Sequence, residues 1–313
     1  MAISWDSNLD FLKSLHNQIS DDLKNKKIGY IDIPCHYNTG DLLIYLGTEQ
    51  FFQDYELNVT YRALQNNINY KKLLECDVIL VHGGGNFGDI YLDHQIAREN
   101  LLLKLKNKGV IFLPQSIYYK NNLNLENSIN VFKQHNNVKM YVRDKDSFEI
   151  AKLLTENVVL MPDMAHSLHP LIEKSEVVCL DSKNKRILNL VRNDCEGVVF
   201  NRDIKKRSFD WSDLCSTSDV VIQRIINASR RTPFFSELML KNWLVQVNYN
   251  VNNAISYVEK YDVVHTDRLH GFILAYLLGK NVFLYDNNYK KIEKYNDCWL
   301  KECDLITTYS CIK

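Results

Sequence analysis

The chain has 313 residues with 38 basic and 38 acidic side chains, so its formal net charge is zero. Because nucleic-acid-binding proteins usually carry a basic excess, this balance argues against a nucleic-acid partner, and no apolar run approaches the ~18 residues of a membrane-spanning helix. Apolar residues make up 46% of the chain and charged residues 24%, which is typical of a globular protein with one large or two smaller domains.

The first part of the chain alternates short apolar runs with helical patterns. An amphipathic segment from Trp5 to Leu23 predicts a helix that packs on the body of the protein. Strands are predicted at 28–33, 57–61, 77–82, 110–113, 138–142 and 158–161. Helices are predicted at 41–55, 70–75, 94–108, 125–135 and 146–154, with Gly109 as a C-cap.

A charged segment without periodicity, residues 173–186, predicts a linker before a second series. Strands are predicted there at 186–191, 262–265 and 281–285, and helices at 220–228, 237–244, 251–261, 269–278 (capped by Gly279) and 289–300. Continuously apolar strands are typical of parallel sheets covered on both faces. The sequence therefore predicts two Rossmann-like α/β halves, residues 1–172 and 173–313, that face each other across a cleft.

Polar residues that follow strands are the candidate site residues, because ligands of open α/β sheets bind beyond the carboxyl ends of the strands. Asp41 follows the first strand, and it is either a helix-capping carboxylate or a base or hydrogen-bond acceptor in the cleft. The glycine run 83–85 predicts either a tight turn or a nest of N–H groups for an anion. No GK[ST] follows these glycines, which argues against a nucleotide site.

Arginines follow two further strands. Arg143 and Arg192 can each grip a carboxylate or phosphate, or pair with a neighbouring aspartate. The strongest signal is the run from Thr266 to Gly271, where a strand leads into a helix. The helix N-terminus favours anions, Arg268 adds a cation, and His270 adds a donor or an acid that titrates near neutrality.

A metal site is not predicted. Asp89, Asp93 and His94 form the one carboxylate and histidine group that stands out, but adjacent residues such as Asp93 and His94 point apart on a helix. Eight cysteines without a CxxC pair favour neither a disulfide framework nor a zinc knuckle. We interpret them as reduced thiols. With no recognisable secretory signal in the first ten residues, we expect a cytoplasmic protein.

These motifs together resemble the polysaccharide pyruvyl transferases over residues 28 to 297. The resemblance implies a two-domain fold of the GT-B type. It also implies transfer of pyruvate from phosphoenolpyruvate to sugar hydroxyls, usually as a cyclic ketal, without a cofactor, in a bacterial surface or exopolysaccharide pathway. The motifs that carry it are Asn38-Thr39-Gly40-Asp41, Gly83–Gly85, residues 113–116, 142–144 and 266–271, and the downstream 278–280 and 285–287.

The resemblance also implies roles for individual residues. Phosphoenolpyruvate would be held by Arg192, Arg268, Leu269 and His270, to which we add Gly84 and Gly85. Asp41 and His270 are the candidate acid and base, with their roles unassigned, while His82 has no counterpart in the family pattern. The saccharide acceptor is expected on the first half, against Asn38, Asp41, Phe87, Tyr91, Gln115, Tyr118 and Arg143.

Two alternatives remain open at this point. One is a glycosyltransferase of the GT-B type that uses a nucleotide sugar, since fold alone does not fix function. The other is a non-catalytic scaffold of polysaccharide assembly. If the acceptor is lipid-linked, the protein would also contact the inner face of the membrane peripherally.

Overall fold

The computed structural model describes residues 4–172, 185–192, 208–228, 233–285, 291–301, 303 and 305–309. Most of the predicted linker therefore lies outside the described residues, and the predicted boundary after residue 172 stays a prediction. The five cysteines within the described ranges are free thiols. No helix in these ranges has both the length and the hydropathy needed to cross a lipid bilayer.

The first half is built on a parallel sheet. Its strands lie in the order β2-β1-β3-β5-β6-β7, and β4 pairs with the later part of β5. Strands β1 and β3 are buried along their whole length, as expected for strands covered on both faces. The strands are β1 (Ile28–Ile31), β2 (Val59–Arg62), β3 (Val78–Val81), β4 (Gly84–Gly88), β5 (Gly109–Tyr118), β6 (Val138–Val142) and β7 (Asn157–Leu160).

Helices cover both faces of this sheet, and four of them begin at an Asn or Asp side chain. Asn38, Asn69, Asn121 and Asp144 each accept a hydrogen bond from a backbone N–H of the first turn. The helices are α1 (Trp5–Leu15), α2 (Asn17–Leu23), α3 (Thr39–Asp54), α4 (Tyr70–Leu74), α5 (Leu92–Lys104), α6 (Asn122–Phe132) and α7 (Lys145–Leu154).

The second half has the same kind of architecture, with a smaller parallel sheet in the order β12-β11-β10-β8-β9. Its strands are β8 (Ile187–Leu190), β9 (Ser208–Phe209), β10 (Val263–Thr266), β11 (Asn281–Tyr285) and β12 (Ile306–Tyr309). Its helices are α8 (Thr217–Ala228), α9 (Pro233–Glu259), α10 (Leu269–Leu277) and α11 (Lys291–Trp299). The prediction of two Rossmann-like halves is confirmed, and Gly279 after α10 has the predicted positive φ of 61°.

Three local predictions are wrong. Gly109 begins β5, because α5 already ends at Lys104. Strand β5 continues through Pro114 to Tyr118, where its later residues pair with β4. The two helices predicted at 237–244 and 251–261 are a single helix, α9, since no Gly or Pro interrupts it and Val247 and Val251 are both buried.

The halves share one core and are joined by three tryptophans. The Trp5 indole of α1 donates to the Tyr276 carbonyl at 2.5 Å. The Trp243 indole of α9 donates to the Pro34 carbonyl at 2.7 Å. The Trp299 indole of α11 donates to the Arg143 carbonyl at 2.7 Å. The predicted packing of the N-terminal amphipathic segment is confirmed. Trp5 contacts the second half, while His16 bonds to Ser167 and Pro162 of the first half.

Gly47 permits the closest approach between α3 and a neighbouring backbone. A Cβ atom at this position would lie 2.2 Å from the Met164 carbonyl oxygen, in the short 3-10 helix Met164–Leu168. We expect Gly47→Ala to lower the free energy of unfolding by about 1–3 kcal/mol through overpacking, measured by urea denaturation. Gln53→Ala, on the exposed face of the same helix, is the control and should change it by less than about 0.5 kcal/mol. Equal stability of the two variants would contradict this prediction.

Candidate functional site

A cleft of about 360 Å³ lies between the halves, beyond the carboxyl ends of β1, β6, β8 and β10. The structure brings most of the predicted site residues to its walls. The first half contributes Asn38, Asp41, Gly85, Tyr91 and Arg143, and the second half contributes Arg192, Arg268, Leu269 and His270. Side chains predicted from separate strand ends therefore face one another across a single space.

Four predicted residues do not line this cleft. Phe87 is 2% exposed, and its ring packs edge-on against Phe112 and Phe132 in the core. Gln115 is fully buried and donates to the His82 carbonyl. Tyr118 lies at the far end of β5, and Gly84 is a buried strand residue with φ of 136°. Gly84 and Gly85 thus lie in strand β4, and of these two predicted glycines only Gly85 lines the cleft.

A buried ion pair forms the floor of the cleft. Arg143 follows β6 and is 1% exposed, and its Nη1 donates to the Oδ2 of Asp163, which follows β7 and is equally buried. Burial alone would raise the pKa of the Asp163 carboxyl, but the charges of Arg143 and His270 hold it well below its usual value. The Oδ1 atom of Asp163 also accepts from the Ala165 N–H at 2.9 Å. The carboxylate therefore stays ionised.

A second set of hydrogen bonds fixes the Arg143 fork. Its Nε and Nη2 donate to Ser116 Oγ at 3.2 and 3.0 Å. Ser116 in turn donates to Asp144 Oδ2 at 3.0 Å. Asp144 also caps α7 through the Ser147 N–H. The guanidinium is therefore held in one orientation from two sides.

His270 extends this network into the second half. It lies in the first turn of α10, and its Nε2 is 3.3 Å from Asp163 Oδ2 and 3.5 Å from Arg143 Nη1. Gly40 of α3 faces the imidazole: a Cβ atom there would lie 2.6 Å from His270 Nδ1. Any larger residue at position 40 would displace the ring, so Gly40 and His270 depend on each other.

The two second-half arginines are anchored by aspartates. Arg268 is the N-cap of α10, and its Nη2 lies 2.5 Å from Asp210 Oδ1, while its buried Nε has no hydrogen-bond partner. The backbone N–H of Arg192 donates to Asp267 Oδ1 at 2.8 Å, which holds the main chain at this position. The ion pair with Asp210 holds the Arg268 guanidinium at the wall of the cleft.

Asp41 is not the N-cap of its helix, although its place in the first turn still suits the helix dipole. The N-cap of α3 is Asn38, whose Oδ1 accepts from the Gly40 N–H at 3.1 Å. The Asp41 carboxylate is 29% exposed in the first turn, and its Oδ2 lies 3.6 Å from His36 Nε2. It therefore faces the cleft as an ionisable group close to a histidine.

The carboxylate and histidine group singled out in the sequence does not converge. Asp89 accepts from the N–H groups of Lys120 and Asn121 at 2.7 Å, and so fixes a loop. His94 instead faces Asp32, with Nδ1 3.7 Å from Oδ1. Among the described residues, the histidine and carboxylates that do converge are Asp6, Asp10 and His169, on and beside α1 and away from the cleft.

Sequence reasoning missed five residues that line the cleft. Three come from the first half and two from the second: His36, Asn86 and His94, then Trp211 and Lys291. His94 appeared in the sequence only as part of the rejected metal group. His36 and Asn86 follow β1 and β3 within a few residues, so a wider search around the strand ends would have included them.

Several cationic side chains line the cleft. Among the described residues these are Arg143, Arg192, Arg268 and Lys291, of which Arg143 and Arg268 are paired with aspartates, and the carboxylate of Asp41 lies on the same walls. Arginine forks match carboxylate and phosphate groups in geometry as well as in charge. The site therefore suits a small ligand with more than one anionic group, held next to a carboxylate and a histidine.

Comparisons with known proteins point to one family. The family model of polysaccharide pyruvyl transferases matches residues 38–289. The putative pyruvyl transferase EpsO of Bacillus subtilis (strain 168) is 33% identical over 285 residues, which cover 89% of this chain and 87% of that protein. Pyruvyl transferase 1 of Schizosaccharomyces pombe is 27% identical, covering 90% of this chain and 71% of that protein.

A solved structure shares the fold. A functionally uncharacterised protein of Klebsiella pneumoniae superposes with a TM-score of 0.59 at 23% identity, covering 97% of each chain. At this identity the likeness concerns the fold alone.

The Arg143–Asp163 pair generates a prediction about stability. Asp163→Asn should leave a buried guanidinium without its counterion and lower the free energy of unfolding at pH 7 by about 3–5 kcal/mol. Because the Asp163 pKa is depressed in the native state, wild-type stability should decline below about pH 3.9, where the unfolded carboxylate takes up a proton first. The part of this pH dependence that comes from Asp163 should be absent from Asp163→Asn.

Denaturant titrations between pH 2 and 7 provide the measurement. Asp146→Asn is the control, because the Asp146 side chain is 61% exposed in a surface pair with Lys294. This substitution should change the free energy of unfolding by less than about 1 kcal/mol. Equal stability of Asp163→Asn and Asp146→Asn at pH 7 would show that the buried pair is not needed.

Proposed function

Because the chain belongs to the polysaccharide pyruvyl transferase family, we propose that it moves pyruvate from phosphoenolpyruvate to two hydroxyls of a saccharide and leaves a cyclic ketal. The observation that carries this proposal is the meeting of Arg192, Arg268 and His270 from one half with Asp41 and Arg143 from the other. Such a cleft offers cations for a donor and a carboxylate for an acceptor hydroxyl.

The cations of the second half suit phosphoenolpyruvate, which has a carboxylate and a phosphate on one small carbon skeleton. Arg268 lies at the N-terminus of α10, where free N–H groups and the helix dipole also favour an anion. Arg192 and Lys291 line the same wall. We assign the donor to this wall, with the buried Nε of Arg268 available to one of its oxygen atoms.

The chemistry needs one base and one acid at the start. The base takes the proton of an acceptor hydroxyl, whose oxygen forms a bond to C2 as C3 of the donor gains a proton. A second hydroxyl then loses its proton and bonds to C2 as the bond from C2 to the phosphate oxygen breaks. Phosphate leaves with one proton, so the two protons given up by the hydroxyls end on C3 and on phosphate.

We assign the base to Asp41 and the acid to His270. Asp41 is on the first half and is accessible in the cleft. His270 has Nε2 3.3 Å from Oδ2 of the ionised Asp163, so that carboxylate helps to fix the orientation of the imidazole at the cleft. Its Nδ1 faces Gly40, whose lack of a side chain leaves room for the ring itself. A positioned acid or base typically contributes about 10²–10⁴-fold to the rate.

The first half would hold the acceptor, with Asn38 and Tyr91 beside Asp41. We place the reaction in the cytoplasm, within the synthesis of a bacterial surface polysaccharide or exopolysaccharide. A lipid-linked acceptor would bring the enzyme to the inner face of the membrane.

Release of inorganic phosphate from phosphoenolpyruvate tests the function. The assay uses the purified chain with a panel of saccharide acceptors, and mass spectrometry of the product should show an added pyruvate ketal. Uridine and guanosine diphosphate sugars serve as control donors and should give no transfer. Transfer from a nucleotide sugar with no phosphate released from phosphoenolpyruvate would overturn the proposal.

Arg268→Ala should weaken donor binding. Losing a charge-assisted contact to an anion costs about 1.5–3 kcal/mol, so the Kd for phosphoenolpyruvate should rise about ten- to hundredfold in calorimetric titration. Arg186→Ala is the matched control, because Arg186 also pairs with an aspartate, Asp262, but on the surface. Unchanged donor affinity in Arg268→Ala would remove this residue from the donor site.

Asp41→Asn should separate turnover from donor binding. The substitution keeps the size of the side chain and removes the base, so kcat should fall about 10²–10⁴-fold while the Kd for phosphoenolpyruvate stays the same. Asp54→Asn is the control, since Asp54 lies on the same helix with a similar exposure of 26%. Loss of donor binding in Asp41→Asn, or wild-type turnover, would argue against a base at this position.

A further inference from the structure

A second chamber of about 260 Å³ opens beside the cleft, entirely within the first half. It lies next to the cleft, because the two spaces share four lining residues: His36, Asp41, Asn86 and His94. Its volume corresponds to about nine water molecules at ~30 Å³ each, which is the scale of one sugar ring. Asp41, to which we assign the base, therefore stands where the two spaces meet.

His82 lines this chamber and has an unsatisfied nitrogen. The residue follows β3 and is 5% exposed, and its Nδ1 shares a hydrogen bond with the hydroxyl of the fully buried Tyr30. Its Nε2, on the opposite edge of the ring, is buried without a hydrogen-bond partner. Buried polar atoms are nearly always satisfied in native proteins, so this atom points to a ligand group.

A hydroxyl is the group that fits His82 in either tautomer. Burial lowers the pKa of the imidazole to about 4, so one ring nitrogen donates and the other accepts at neutral pH. Whichever role Nε2 has, a hydroxyl supplies the complement, because it both donates and accepts. A carboxylate, which only accepts, would satisfy just one tautomer.

The charges of the chamber favour a neutral ligand. Its wall carries the carboxylates of Asp32 and Asp41. Asp32 has an unusual backbone for a residue with a side chain, with φ of 63°, and its carboxylate is held by Arg98 at 2.9 Å. Burial alone would raise the pKa of Asp32, but the Arg98 charge lowers it below the usual value. Strained backbone of this kind tends to occur at functional sites.

We propose that this chamber binds the pyranose ring of a neutral acceptor, with a ring hydroxyl on His82 Nε2, and that the reacting hydroxyls project past Asp41 toward the donor. This proposal rests on the pyruvyl transfer proposed above. It assigns acceptor selection to His82, a residue outside the predicted acceptor set, and it distinguishes neutral sugars from uronates.

Binding of methyl glycosides tests the chamber without the donor. Methyl glycosides of neutral hexoses and the matching methyl glucuronide are titrated into the full chain, and Kd is measured by ligand-observed NMR. A neutral glycoside should bind, and the glucuronide should bind more weakly. His82→Ala should raise the Kd of the neutral glycoside about five- to tenfold, as for one lost hydrogen bond.

Two further variants keep the result interpretable. His135→Ala removes a histidine that is 6% exposed and bonded to the Leu105 carbonyl at 2.9 Å, far from the chamber, and it should leave the Kd unchanged. Asn66→Trp should fill the chamber from its exposed rim and abolish glycoside binding even if His82→Ala fails to fold. Because no phosphoenolpyruvate is present, a failure of pyruvyl transfer in the phosphate assay would not alter these readings.

Three results would overturn the proposal. One is the absence of binding by every neutral glycoside, and another is an unchanged Kd in Asn66→Trp. The third is tighter binding of the glucuronide than of the neutral sugar. Turnover with phosphoenolpyruvate alongside any of these would leave the pyruvyl transfer standing and place the acceptor elsewhere in the cleft.

Discussion

The Arg143–Asp163 ion pair is the interaction on which the arrangement of the cleft depends. Both side chains are 1% exposed, so their charges are compensated by each other and by neighbouring groups of the protein rather than by water. Removing charges from water is costly unless the geometry is well defined. Ser116 accepts a hydrogen bond from Arg143, and the Ala165 N–H donates one to Asp163, so both side chains are fixed in position. The pair thereby fixes the ends of β6 and β7 relative to each other.

The same carboxylate links the halves chemically. Asp163 lies in the first half, but one of its oxygen atoms faces His270 of the second half at 3.3 Å. The imidazole also needs the space left by Gly40 on α3. The position of His270 is thus set by first-half residues, and its presentation to a substrate does not depend on α10 alone. A side chain held in this way needs little reorganisation when a ligand binds.

Much of the scaffold could be predicted from sequence, because a buried parallel strand is continuously apolar. Strands β6 and β11 have the predicted bounds. Strand β4 was missed, since glycines have no strand preference and this strand exists through its pairing with β5. Helix α9 was divided in two because Gln246, Asn248 and Asn250 interrupt its apolar pattern. In the structure these polar residues lie on a helix that also exposes Val245 and Tyr249.

The site was predictable to a similar degree and for a related reason. Arg143, Arg192 and Arg268 were found because the ends of parallel strands meet at one edge. Phe87 and Gln115 were misplaced, since the direction of a side chain depends on pairing and packing that spacing does not reveal. The chamber around His82 depends on a void and on an unpaired nitrogen atom, and neither is encoded in a local pattern.

The three tryptophan hydrogen bonds bear on how the chain folds. Each indole of Trp5, Trp243 and Trp299 donates to a carbonyl of the opposite half, so each half completes the other's buried polar groups. Separating the halves would expose large apolar rings and leave those donors and acceptors to water. Although the sheets are distinct, the native packing of each half therefore includes polar groups that the other half supplies.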